Sequence, residues 1–136
     1  MTNYFKNQNS KIKMQNEKEK FKEDFIKRLI TFSIKTLKLS ERMKQKRILL
    51  PIIDQLIRST TSIGANVVEA KASSSRRDYL RFFEIALKSA NEARYWLILI
   101  KETNFELKQE IEGLLKELEE IAKVIGASVL TLKGKR

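Results

Sequence analysis

The sequence predicts an all-α fold, an antiparallel up-down-up-down four-helix bundle. One proline and four glycines in 136 residues leave too little punctuation for the many turns of a β fold. Apolar residues recur at spacings of three and four in four separate blocks, as in helices that each bury one stripe. The interruptions between blocks are short, and short connections make consecutive helices antiparallel neighbours.

Residues 1–18 are a polar lead rich in Lys, Asn and Gln, expected as a flexible basic segment or an extension of the first helix. Residues 19–132 are expected to form the bundle, and 133–136 a basic tail. From Glu19 to Leu39, Phe25, Leu29 and Phe32 recur beside Ile26, Ile30, Ile34 and Leu37, a broad apolar stripe. Ser40 to Leu50 breaks that pattern with four cations and reads as a connection. Pro51 suits the first turn of a second helix. That helix runs to about Ala70, with Leu49, Ile52, Leu56, Ile63, Val67 and Ala70 on its inner side.

Lys71 to Ser75 is the next turn, and Ser75 with Asp78 three residues on predicts an N-cap. The third helix carries Tyr79, Phe83, Ala86, Ala90, Ala93, Leu97 and Ile100, and breaks at Thr103 to Phe105. The last repeats the rhythm through Leu107, Ile111, Leu114, Leu118, Ile121, Ile125, Ser128 and Leu132. A glycine inside a helix costs about 1 kcal/mol relative to alanine. Gly126 is therefore expected where two helix backbones approach closely, beside the small residues of the third helix.

Composition removes several classes of function. With no cysteine there is no disulfide, thiolate metal site or cysteine nucleophile. With no histidine, the commonest general base and metal ligand is missing as well. Ser73–Ser75 have no base beside them, and Asp24, Asp54 and Asp78 are scattered. No catalytic residue, metal ligand or cofactor is expected, and the protein reads as a non-enzyme. The polar N-terminus does not look like a signal peptide, and the apolar runs 48–53 and 95–100 are too short to span a bilayer. A cytoplasmic protein with no membrane partner is the expectation.

The net charge is +11, and it is uneven. Residues 1–58 hold 15 Lys and Arg against 6 Asp and Glu, whereas 59–136 hold 13 against 11. Such a balance suits a polyanion, nucleic acid above all, although a merely solvated surface has the same composition. Topology sorts the cations into two ends. Arg42, Lys44, Lys46 and Arg47 fall at one. The lead, Lys71, Arg76, Arg77, Lys133, Lys135 and Arg136 fall at the other. Either end is a candidate for phosphate contacts. No aromatic residue sits within the basic runs 42–47, 71–77 and 133–136, which argues against base stacking.

Two features point to self-association. Arg58, Ser62, Asn66 and Glu69 share the outer side of the second helix, where this chain would ordinarily place Lys and Glu. Short polar side chains there suit a face packed on another subunit; a locally satisfied exposed helix is the other reading. The run from Tyr95 to Ile100 is apolar all the way round, which makes Tyr95, Trp96 and Leu99 candidate interface anchors.

The stretch Ser59–Thr60–Thr61–Ser62–Ile63–Gly64–Ala65–Asn66, then Glu69, then Ser75 to Ala93, resembles the four-helix-bundle proteins encoded by intervening sequences in bacterial 23S ribosomal RNA genes. Ala127–Ser128 followed by a basic tail is similar too. This chain differs in having Ala70 where a glycine often follows the glutamate, and no tryptophan in the first helix. The resemblance implies a ring-shaped homo-oligomer, often a pentamer, with no established enzymatic activity. A related branch, the accessory variability determinant of diversity-generating retroelements, binds nucleic acid and a reverse transcriptase. The expected function is an oligomeric bundle that binds RNA or DNA through phosphates without sequence specificity. The alternative is a scaffold or accessory subunit docking an acidic protein partner.

Overall fold

The computed structural model describes residues 2–47 and 49–134. Four helices follow one another: α1 Thr2–Gln45, α2 Leu50–Ala72, α3 Arg76–Thr103 and α4 Lys108–Gly134, with a single 3₁₀ turn at Phe105–Leu107 ahead of α4. Among the described residues there is no strand.

Cross-helix contacts set the directions. Arg28 and Arg42 of α1 pair with Glu117 and Glu110 of α4, so the later part of one lies beside the earlier part of the other. Lys44 near the end of α1 reaches Asp54 near the start of α2 at 3.0 Å. Ser62 and Ser89 hydroxyls meet at 2.8 Å between α2 and α3, and Lys133 late in α4 meets Glu84 early in α3 at 3.4 Å. Each helix therefore runs antiparallel to its sequence neighbour, and α4 closes back on α1.

The expected stripes form the core. Leu29, Phe32, Leu56, Ile63, Ala86, Ala90, Leu97, Ile111, Leu118 and Ile121 are all buried. Ser75 caps α3 as expected, its hydroxyl accepting the Asp78 backbone N–H at 3.1 Å. Three details differ. The first helix does not stop at Leu39: Thr36 and Ser40 donate their hydroxyls to the carbonyls of Phe32 and Thr36, at 3.0 and 2.8 Å. These buried polar groups are thus satisfied without breaking the helix, and Met43 is buried one turn on. The true turn contains Arg47 and Leu49, both left-handed (φ 54° and 41°), and it turns Leu49 outward so that Ile53 takes the core position instead. Val129 rather than Ser128 completes the α4 stripe.

The expectation for Gly126 was wrong. Apart from its chain neighbours and its own helix backbone, no described atom lies within 4 Å of where its Cβ would stand, so no close approach of a second backbone requires it. The nearest such approach is at Gly64, whose Cβ would meet Leu29 Cβ at 3.7 Å, an ordinary contact between α1 and α2. Gly126→Ala should therefore raise stability by about 0.5–1 kcal/mol, through helix propensity and lost unfolded-state freedom. Urea unfolding measures it, and a destabilised variant would contradict the geometry.

The α1–α4 contact is fixed by a two-pronged pair: Arg28 Nε and Nη2 donate to Glu117 Oε2 and Oε1 at 2.8 and 2.6 Å. The hydrogen bonds from Arg28 hold the Glu117 carboxyl below the usual carboxylate range. A depressed folded-state pKa contributes stability that is complete above the unfolded value of about 4.3 and is lost as pH falls through the folded value. Both side chains are over one-third exposed, so solvent limits the gain to about 0.5–1 kcal/mol. Glu117→Gln should remove that amount at neutral pH and leave the stability difference from wild type near zero at strongly acid pH.

Candidate nucleic-acid interface

The two basic ends are not equivalent. At the end built from the α1–α2 turn and the start of α4, Arg42 and Lys44 are held by Glu110 and Asp54. Lys46 and Arg47 lie exposed in the turn itself. The opposite end gathers the α2–α3 turn, the last turns of α4 and a stretch of α1 that runs from the expected lead, residues 1–18, into the expected first helix. Lys18 and Lys22 of that stretch line the same cleft as Ser73, Ser74, Ser75, Arg76 and Leu132.

Each cation there has a distinct role. Arg76 Nη2 donates to the Leu132 carbonyl at 2.9 Å, which satisfies one of the orphan carbonyls at the end of α4. Lys133 is 3.4 Å from Glu84. Asp78, which could have neutralised Arg76 or Arg77, instead lies 3.7 Å from Arg81. Arg77 and Lys71 are exposed, and neither has an ion-pair partner among the described residues. Lys135 and Arg136 lie outside the described residues.

The end also contains aromatic rings. Tyr79 stacks on Phe83 with centroids 4.9 Å apart and planes 14° apart. The Lys22 ammonium lies 5.2 Å from the Tyr79 ring centroid, within reach of a cation–π attraction. Partial burial pushes the Tyr79 hydroxyl pKa upward. Phe21 is 61% exposed and borders the cleft. Rings and cations thus share this end, against the expectation that stacking is disfavoured there. The missed signal was Phe21, one helical turn ahead of core residue Phe25, on a stripe that continues past the bundle.

The proposed interface residues divide. Asn66 Nδ2 donates to the Ser62 carbonyl and hydroxyl at 2.8 and 3.0 Å, and Ser62 meets Ser89. These three form a satisfied network within one chain at the α2–α3 edge. Arg58 and Glu69 are exposed beyond it. Tyr95 is exposed and edge-on to Trp96 at 5.0 Å; Trp96 and Leu99 are half-buried. Trp96 Nε1 is sealed from solvent without a hydrogen-bond partner among the described residues.

Among the described residues no group of three or more potential ligand side chains gathers to hold a metal ion. No helix there is long and apolar enough to cross a membrane.

A model of the 23S rRNA-intervening sequence protein matches residues 22–127. The chain belongs to that family. A solved structure from Bacteroides thetaiotaomicron, a protein of unknown function from the S23 ribosomal protein family, is similar in fold. It is 32% identical, covers 77% of this chain and 97% of its own, and superposes with a TM-score of 0.71. No curated protein matches. The family match begins at Lys22 and ends at Ala127, so Lys18 and Phe21 on α1 and Lys133 on α4 lie outside it.

The Arg76 contact yields a direct test. Arg76→Ala should leave the core intact and loosen the last turn of α4, so trypsin should cleave after Lys133 faster than in wild type. An unchanged cleavage rate would show that the carbonyl contact does not hold that turn.

Proposed function

We propose that this family member is a non-enzymatic, self-associating helical bundle that binds RNA or DNA by phosphate contacts at the end where the α2–α3 turn meets α1. One observation carries the reading. Lys18, Lys22 and Lys71 line the cleft there and Arg77 stands exposed in the first turn of α3, all four without ion pairs among the described residues, while at the other end Arg42 and Lys44 are already neutralised, which leaves Lys46 and Arg47. Unpaired cations release counterions from a phosphate backbone, whereas paired ones must first lose their carboxylates. Contacts of this kind position a nucleic acid without reading its sequence.

Self-association is the second part of the proposal, and the family resemblance makes a pentameric ring the assembly to look for. Ile30, Ile34 and Leu37 stand exposed along one flank of α1, with Val68 beside them on α2. Tyr95 is exposed on α3. A monomer that leaves such a stripe wet gains by covering it with a second copy. An assembled ring would also repeat the basic end and multiply its phosphate contacts.

Fluorescence anisotropy with a labelled RNA hairpin and an unrelated duplex DNA tests the binding. Affinity should fall with salt by about 0.7–0.9 in log–log slope for each phosphate neutralised. Lys71→Glu with Arg77→Glu should weaken binding at least about tenfold through lost and reversed contacts, with helicity and oligomer mass retained. Lys46→Glu at the opposite end should have a smaller effect. Undiminished binding by the double variant, or none by wild type in low salt, would favour an acidic protein as the partner.

A further inference from the structure

The stretch of α1 that runs past Phe25 encloses a cleft against the end of the bundle. Its inner part is a cavity of about 370 Å³ reaching down to Phe25, Val67, Phe83 and Val124. It opens into a wider trough of about 800 Å³ along Ser73–Ser75 and Leu132. Lys18, Phe21, Lys22 and Tyr79 border both, so a ligand spanning the two meets ring surface and ammonium groups together. Lys71 and Arg76 add to the rim, and Glu17 is the one carboxylate among the described lining residues.

An apolar slot with a cationic rim does not suit the outside of a duplex, which presents phosphates and hides its ring faces. It suits a nucleotide whose base has left the stack, with a flat apolar face and a phosphate on either side. We infer that this cleft takes an unpaired base of a single-stranded or looped nucleic acid against Phe21 and Tyr79, while Lys18, Lys22 and Arg76 hold the flanking phosphates. The inference rests on the nucleic-acid reading above and narrows it from any phosphate backbone to strands with unpaired bases. Lys22 has two positions in this scheme. Without ligand its ammonium lies over the Tyr79 ring; turned onto a phosphate, it uncovers that ring for stacking. Every base has a π-face, so the preference is for single strands and tolerant of sequence. Lys18 and Phe21 lie outside the family match, whereas Lys22, Arg76 and Tyr79 lie within it.

The test uses the full chain with a single-stranded oligonucleotide carrying 2-aminopurine and the duplex formed from it, at one salt concentration. The single strand should bind at least about fivefold more tightly, and the fluorescent base should be quenched on binding. Phe21→Ala should abolish both the preference and the quenching and leave duplex affinity unchanged; Phe21→Trp should keep them. Phe21 is exposed, so the fold should survive, as far-UV circular dichroism will verify. Equal wild-type affinity for both forms, or full quenching by Phe21→Ala, overturns the inference and leaves phosphate binding standing. Binding of neither form overturns both. Uptake of a fluorescent fatty acid by the cleft, with strand and duplex bound alike, would assign it to an amphiphile and overturn the inference.

Discussion

α1 has 44 residues, against 23 in α2, 28 in α3 and 27 in α4. At 1.5 Å per residue that is about 66 Å against about 35–42 Å, so its inward-facing stripe outlasts the neighbours that can cover it. Among the described residues Phe25 is the first that is buried; from Lys6 to Asp24 every side chain is exposed. Starting a helix is costly, but extending one already formed adds a hydrogen bond for each residue ordered. The bundle supplies the nucleus, and Lys, Gln and Glu residues continue it at little cost. Lys18, Phe21 and Lys22 reach the bundle end for this reason. They bring to it cations and a ring that a bundle of matched lengths would lack.

The distribution of carboxylates then decides which end has more free charge. Glu110 and Asp54 lie where they can neutralise Arg42 and Lys44. At the other end Glu84 and Asp78 are engaged by Lys133 and Arg81, which leaves Lys71 and Arg77 facing water. Neither arrangement adds much stability, since exposed pairs contribute about 0–1 kcal/mol. Their consequence is where positive potential accumulates. Stability rests instead on the continuous core from Leu29 and Phe32 through Leu56, Leu97 and Ile121.

Most of the bundle was legible because its helices obey one rule: three-four spacing buries one stripe. The Ser75 cap was legible for a local reason, a hydroxyl three residues before an orphan N–H. Helix ends were less so. Ser40 reads as a break only if its hydroxyl has no partner, and in the structure the Thr36 carbonyl supplies one. The core position lost at Leu49 depends on a left-handed backbone that no leucine advertises. Gly126 shows the opposite failure, a costly residue for which the fold offers no compensating contact. The site was half legible. Topology placed the turn and the tail at one end, but how far α1 reaches, and which cations are already paired, are properties of three dimensions.

The account depends on α1 being one helix from the bundle outward, with residues 15–24 held across the basic end. Amide hydrogen exchange, read residue by residue on the free protein, tests this most directly. Exchange should be slowed throughout residues 15–24, with protection rising toward Phe25 as the helix enters the core. Exchange at the unstructured rate up to Asp24 would contradict it, because Lys18, Phe21 and Lys22 would then have no fixed place at the basic end.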